Sequence, residues 1–227
     1  MNKKEDTTAI ENWSLYNALL LLLAFIYVFF TLNLNYLCVA FIISLLGLIY
    51  SQRLFLFKRK RPFGIANNVT LLRFILILIS FMCVDFNSQK TLFIICLTIA
   101  VIFDFFDGII ARRFNETSIF GQYFDMEIDA FFVLMMCCYY YIYEDVGSWI
   151  LIPGILRYIY RLYTFLVPKK NFKETKQQYA TIVAGSFFVI LLLGLVLDGW
   201  WQLLILKMGA LSIIISFAWS FKQYHNA

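Results

Sequence analysis

Long apolar runs, separated by short polar segments, form the main pattern along this chain. Each run is close to the length of about 20 residues that an α-helix needs to cross a membrane, and each is continuous rather than alternating. The pattern predicts an all-α, polytopic membrane helix bundle in which two spans precede a block of six. The expected spans are residues 14–33, 35–52, 67–84, 92–113, 120–143, 148–167, 179–197 and 201–221.

These spans divide the chain into four parts. Residues 1–13 form an expected cytoplasmic tail, 14–52 a two-helix membrane extension, 53–64 a basic juxtamembrane segment and 65–227 a six-helix domain. We expect the first span to be retained, because its apolar run is long and no small-residue cleavage site follows it. The basic segment mixes large apolar side chains with Lys and Arg, which fits either a helix in the headgroup layer or a plain topology signal.

Composition supports a membrane protein. Of the 227 residues, 62% are hydrophobic and 15% are charged, whereas soluble domains average about 45–50% and about 25%. All five cysteines lie within apolar runs and lack the spacing of metal ligands, so we interpret them as buried apolar side chains. The one histidine, His225, is third from the end of the sequence, which argues against zinc binding or histidine-based catalysis.

Lys and Arg are concentrated in alternate loops. Residues 53–61 contain five of them, residues 112–113 two and residues 168–177 four, whereas the loops at 85–91, 144–147 and 198–200 contain only Lys90. By the positive-inside rule, this distribution predicts that both termini face the cytoplasm. We expect the membrane to be a bacterial inner membrane.

Acidic residues recur at helical spacing in the middle of this apolar sequence. One predicted helix carries Asp104, Asp107, Gly108, Ala111 and Arg112 on a single face, and the next helix carries Gly121, Asp125 and Asp129. The short link between the helices lets the two acidic faces meet. An ionised Asp costs about 2.5–3.5 kcal/mol at the centre of a membrane helix, so a functional role is favoured.

Clustered carboxylates require a cation, and oxygen ligands suit Mg²⁺ or Mn²⁺. The structural alternative is that some of these acidic residues only cap helices or pair with Arg112 and Arg113. That alternative fits Glu127, which is two residues from Asp125 and therefore points away from its face.

The acidic pattern resembles the complete signature of the CDP-alcohol phosphotransferase (CDP-alcohol phosphatidyltransferase) family. The residues are Asp104-x-x-Asp107-Gly108-x-x-Ala111-Arg112, eight further residues, and Gly121-x-x-x-Asp125-x-x-x-Asp129. A second segment, Ala66-Asn67-Asn68-Val69-Thr70-Leu71-Leu72-Arg73, resembles the Pro-Asn-x-x-Thr-x-x-Arg of many bacterial members, with Ala66 in place of proline. The resemblance covers about residues 65–221 and leaves out the two leading spans.

The resemblance implies a transferase of phospholipid synthesis that moves a phosphatidyl group from CDP-diacylglycerol to a polar alcohol and releases CMP. It implies two Mg²⁺ or Mn²⁺ ions, with Asp104, Asp107, Asp125 and Asp129 as ligands and Asp129 also as general base. The CDP portion would contact Gly108, Ala111, Arg112, Gly121, Asn67, Thr70 and Arg73. The family also suggests a homodimer, and nothing indicates a nucleic-acid partner.

The acceptor alcohol is a separate question. Arg157 and Arg161 share a helix face, and Lys173 lies in the loop that follows, so an anionic acceptor such as glycerol 3-phosphate is one interpretation. These cations can also neutralise the carboxylates or bind lipid headgroups. The chain is similar to bacterial phosphatidylglycerophosphate synthases, but Ala130 stands where those enzymes usually have a lysine.

Three other functions account for part of this pattern. An enzyme that uses a soluble CDP-alcohol such as CDP-choline, with diacylglycerol as acceptor, would require the same signature. A divalent-cation transporter would explain the aspartates but gives no role to Gly108, Ala111 or the spacing of Gly121. A degenerate family member kept as a structural subunit is disfavoured by the intact set of four aspartates.

Overall fold

The computed structural model describes residues 3–58, 65–83, 90–113, 119–168 and 178–226. Within these ranges the chain is helical and contains no strand, which confirms the all-α prediction. A short 3₁₀ turn, Ser148–Ile150, precedes the sixth helix. The described ranges contain eight α-helices: α1 (Lys3–Thr31), α2 (Asn35–Lys58), α3 (Ile65–Met82), α4 (Lys90–Arg113), α5 (Ile119–Tyr143), α6 (Leu151–Leu166), α7 (Gln178–Val196) and α8 (Gly199–Asn226).

The predicted spans match these helices one for one, with the larger differences at the ends of α1, α2 and α8. Helix α1 begins at Lys3 rather than at residue 14, and α2 continues to Lys58, inside the predicted basic segment. Neither extension contains Gly or Pro, the residues that most strongly disfavour a helix interior, so the helices continue into the polar sequence.

Four helical segments in the described part of the chain are long and apolar enough to cross a membrane. They are Ile10–Thr31, Phe120–Tyr143, Tyr179–Val196 and Gly199–Asn226, and two shorter apolar segments occur at Asn35–Tyr50 and Asn67–Met82. In three of these four segments only 28–33% of the apolar stretch is buried inside the protein, so most of its hydrocarbon surface would meet water outside a membrane. The protein is therefore an integral membrane protein.

The chain forms two compact units, Met1–Phe132 and Val133–Ala227. In the first unit, three buried rings join α2, α3 and α5: the centroid of Phe41 lies 4.9 Å from that of Phe74 and 4.4 Å from that of Phe131. Helices α1 and α2 are also linked by the indole of Trp13, whose Nε1 donates to the backbone oxygen of Ser44 at 3.0 Å. Aromatic packing and this buried hydrogen bond define the core of the unit.

In the second unit, α8 packs against α7 and α6. A Cβ added at Gly209 of α8 would lie 2.8 Å from side-chain atoms of Ile190 and Phe187, so the absence of a side chain permits the close approach of α7. Near the other end of α8, the hydroxyl of Tyr224 lies within hydrogen-bond distance of the backbone oxygens of both Thr164 and Val167, which share its single proton. The last carbonyls of α6 thereby find a partner on α8.

Candidate active site

Three aspartates converge between α4 and α5, as the spacing predicts. Asp104 comes from α4, while Asp125 and Asp129 lie one turn apart on α5. Each contributes a carboxylate oxygen to a group in which all the oxygens lie within 4.8 Å of one another. We call Asp104, Asp125 and Asp129 the carboxylate cluster.

Arg73 of α3 reaches into this carboxylate cluster. Its Nη1 pairs with Oδ1 of Asp104 and lies 3.4 Å from Oδ1 of Asp125, and its Nη2 lies 2.6 Å from Oδ1 of Asp129. The arginine side chain is only 3% exposed, whereas the three aspartate side chains are 19–24% exposed. The guanidinium is therefore enclosed, while the carboxylates keep access to solvent.

The charges of this arrangement favour a further cation. Three carboxylates held this close repel one another, and a divalent cation between them would reduce that repulsion. The donors are all carboxylate oxygens, which are the ligands that Mg²⁺ and Mn²⁺ prefer, and their partial exposure gives an ion a way in. The carboxylate cluster therefore fits a divalent metal ion by charge and by ligand type.

The other residues of the acidic signature lie on the same two helices. Asp107, Gly108, Ala111 and Arg112 belong to α4, but their side chains are outside the described part of the structure. Gly121 begins the turn of α5 that leads to Asp125. The structure thus brings together three of the four predicted metal ligands, and the position of the Asp107 carboxylate stays a prediction.

The remaining predicted residues are distributed over both units. Thr70, which is buried, and Asn67, which is half-buried, lie on α3 in the same helix as Arg73. Arg157 and Arg161 lie on α6 in the second unit, and Lys173 falls in the range 169–177, outside the described residues. Their predicted roles in binding CDP and the acceptor stay predictions.

Sequence reasoning missed the surroundings of Glu127. This residue is 1% exposed, and it lies between Asp125 and Asp129 on α5. Its Oε1 accepts a hydrogen bond from the hydroxyl of Ser14 at 2.7 Å, and its Oε2 accepts one from Nδ2 of Asn17 at 2.7 Å. The sequence feature that could have indicated these contacts is the presence of two polar residues, Ser14 and Asn17, three positions apart in an apolar span.

Comparison with known protein families decides the class of the protein. The family model described as CDP-alcohol phosphatidyltransferase matches residues 63–221, well over half of the chain. The chain belongs to this family. It is therefore a phosphotransferase that transfers phosphatidyl groups from a CDP-alcohol in a lipid environment, and the family is generally dependent on divalent metals.

The matched region of this CDP-alcohol phosphatidyltransferase includes the whole of α3 to α7 and most of α8. Every residue of the carboxylate cluster and Arg73 fall within it. Helices α1 and α2 lie before it. No curated protein and no solved structure matched the chain.

Proposed function

We propose that this protein transfers the phosphatidyl group of CDP-diacylglycerol to a polar alcohol and releases CMP. The observation that carries the proposal is the convergence of Asp104, Asp125 and Asp129 in a chain of the CDP-alcohol phosphatidyltransferase family. A nucleotide-activated lipid needs a site that handles a charged pyrophosphate at the membrane surface. Partly exposed carboxylates meet that need.

The reaction is a displacement at phosphorus. The oxygen of the acceptor alcohol forms a bond to the phosphorus that carries the diacylglycerol, and the bond from this phosphorus to the bridging oxygen of the pyrophosphate breaks. The electron pair remains on the bridging oxygen, which becomes a phosphate oxygen of CMP. The proton of the acceptor hydroxyl passes to a carboxylate oxygen of Asp129, which acts as general base.

The other residues of the site bind and orient the donor. Asp104, Asp125 and Asp129, together with Asp107, would hold two Mg²⁺ or Mn²⁺ ions, whose charge stabilises the leaving oxygen. The absence of side chains at Gly108 and Gly121 and the small side chain of Ala111 leave room for the cytidine nucleotide. Arg112 and Arg73 supply positive charge for phosphate, and Asn67 and Thr70 line the same pocket.

For the acceptor, we propose a phosphorylated alcohol such as glycerol 3-phosphate. Arg157 and Arg161 lie at i and i+4 on α6 and therefore share one helix face, an arrangement suited to an anion. The clusters of Lys and Arg in the predicted cytoplasmic loops support a site on the cytoplasmic side of a bacterial inner membrane.

The test is release of CMP by the purified protein in lipid nanodiscs with Mg²⁺ or Mn²⁺. CDP-diacylglycerol is supplied as donor, and glycerol 3-phosphate, inositol phosphate, serine and inositol are offered in turn. We expect CMP with one acceptor only, and at least about 100-fold less CMP with Asp129→Asn, since general base catalysis contributes about 10²–10⁴-fold. Asp198→Asn removes a carboxylate outside the cluster and serves as the matched control.

The assay also separates the other donor class. If CDP-diacylglycerol gives no CMP, the same preparation is given CDP-choline or CDP-ethanolamine with diacylglycerol. Activity there would assign the protein to that second class of transferase. Absence of CMP release with every pair, in a preparation that remains folded, would contradict the proposed reaction.

A further inference from the structure

We infer that Ser14 and Asn17 of α1 position the aspartates of α5, because they hold Glu127 and thereby set the orientation of that helix. Glu127 is a positioning residue in this account: it does not touch substrate, and it acts through Asp125 and Asp129. The inference rests on the proposed function for its link to catalysis. It gives a role to a helix that lies outside the matched family region.

The geometry of α5 makes Glu127 suited to this role. Successive residues of an α-helix are about 100° apart around the axis, so Glu127 points roughly opposite to both Asp125 and Asp129. Arg73 contacts the two aspartates on one side of α5, and Ser14 and Asn17 contact Glu127 on the other side. A rotation of α5 that weakens the hydrogen bonds to Glu127 therefore also displaces the two aspartates from Arg73.

Burial makes the hydrogen bonds between Glu127 and α1 sensitive to the orientation of α5. Ser14 and Asn17 are both 0% exposed, and Glu127 is 1% exposed, so water does not replace a lost partner at this position. A buried polar group that loses its hydrogen bond bears the full cost of desolvation, which penalises every orientation of α5 in which these bonds are broken. Apolar contacts alone would tolerate small rotations, because lipid-facing and helix-facing surfaces have similar polarity.

Position matters for the chemistry of the cluster. A displacement of about 1 Å at a reacting group can lower the rate of an enzyme about 100-fold. Asp125 and Asp129 both belong to the helix that Glu127 anchors, so loss of the anchor should lower kcat and weaken metal binding together.

The experiment compares full-length variants in nanodiscs. Ser14→Ala and Asn17→Leu each remove one donor to Glu127, and Glu127→Leu removes the acceptor. The control is Trp13→Phe, which removes a buried hydrogen bond from the same helix to Ser44 of α2 and keeps Ser14, Asn17 and Glu127. Measured quantities are kcat and KM for CMP release, Mn²⁺ affinity by electron paramagnetic resonance, and the melting temperature.

We expect Asn17→Leu and Glu127→Leu to lower kcat by about 10- to 100-fold. Mn²⁺ affinity should fall in the same variants. Glu127→Gln should restore most of the lost kcat, because the amide of Asn17 can turn and present its oxygen to the new Nε2. Trp13→Phe should lower the melting temperature and leave kcat and Mn²⁺ affinity unchanged.

Several outcomes would overturn the inference. Equal loss of kcat in Trp13→Phe and Asn17→Leu would show that α1 contributes only general stability. A Glu127→Gln variant as impaired as Glu127→Leu would refute the hydrogen-bond account. If Glu127→Leu does not fold, Ser14→Ala decides the question, because it removes a single donor from a surface that otherwise keeps its shape.

The proposed function can fail separately. If the original protein releases no CMP with any donor, Mn²⁺ affinity in the same variants still tests the positioning of the carboxylate cluster. A double-mutant cycle of Ser14→Ala and Glu127→Leu, each of which removes the hydrogen bond between the two residues, tests the contact in thermal unfolding without any ligand. Additive effects in that cycle, or unchanged Mn²⁺ affinity in Asn17→Leu, would refute the inference.

Discussion

The contacts of Arg73 predict an opposition between metal binding and turnover. Its guanidinium pairs with all three members of the carboxylate cluster, so it competes with a divalent cation for the same negative charges. We expect the variant Arg73→Gln to bind Mn²⁺ more tightly than the original protein and to turn over more slowly. The slower turnover follows because the variant loses a positive charge that we assign to the phosphates of the donor.

The magnitude follows from the distances and the exposure. Two unit charges 4 Å apart interact by about 1 kcal/mol in water and by about 4 kcal/mol at an effective dielectric constant of about 20. Nη2 of Arg73 lies 2.6 Å from Asp129, and the aspartates are 19–24% exposed, so the cluster lies between these two limits. A gain of about 1–3 kcal/mol in metal binding corresponds to about 5- to 150-fold in affinity.

The assay is a titration of Mn²⁺ against the full-length protein in nanodiscs, followed by electron paramagnetic resonance. Arg73→Lys keeps the charge and should bind Mn²⁺ about as the original protein does. Lys207→Gln removes a positive charge from an exposed position on α8 and serves as the control for net charge. Weaker Mn²⁺ binding in Arg73→Gln would refute the reasoning, because it would show that the arginine orients the carboxylates more than it competes with the metal.

Two further predictions concern stability, measured by thermal unfolding in detergent. Gly209→Ala should lower the free energy of unfolding by about 1–3 kcal/mol, because the added Cβ would overlap side chains of α7. Gly47→Ala adds its Cβ in open space and should leave the stability unchanged or raise it. Equal effects of the two substitutions would contradict the packing. Tyr224→Phe should lower the free energy of unfolding by about 1 kcal/mol, because it removes the hydrogen bonding of the hydroxyl at the end of α6. Tyr16→Phe, at a residue that is 68% exposed, should lower it less. The reverse order would refute the role of the Tyr224 hydroxyl.

The sequence predicted the parts of the site that depend on local periodicity. Asp125 and Asp129 share a face because they are one turn apart, and the length of the apolar runs placed α4 and α5 to within about two residues. The convergence of Asp104 with these two residues followed from the short link between the helices. The residues outside the described ranges, Lys173 among them, keep their roles as predictions.

The sequence did not predict contacts that depend on packing between distant helices. Arg73 was assigned to the pocket through its motif, but its simultaneous contact with three carboxylates requires the positions of α3, α4 and α5 together. Ser14 is separated from Glu127 by 113 positions, and nothing in the spacing of either segment indicates the other. Helices α1 and α2 continue beyond the predicted membrane spans, into polar sequence that contains no Gly or Pro.

The two sets of polar contacts on α5 share a physical origin. In a bilayer, apolar helix faces gain little by choosing one orientation over another, since lipid tails are as apolar as leucine. The rotation of a helix about its axis is therefore set by groups whose displacement costs more free energy, such as buried carboxyls that would lose their hydrogen-bond partners. Arg73 and the pair Ser14 and Asn17 meet α5 on opposite sides, so a catalytic helix embedded in hydrocarbon obtains a defined rotation from a few hydrogen bonds and ion pairs.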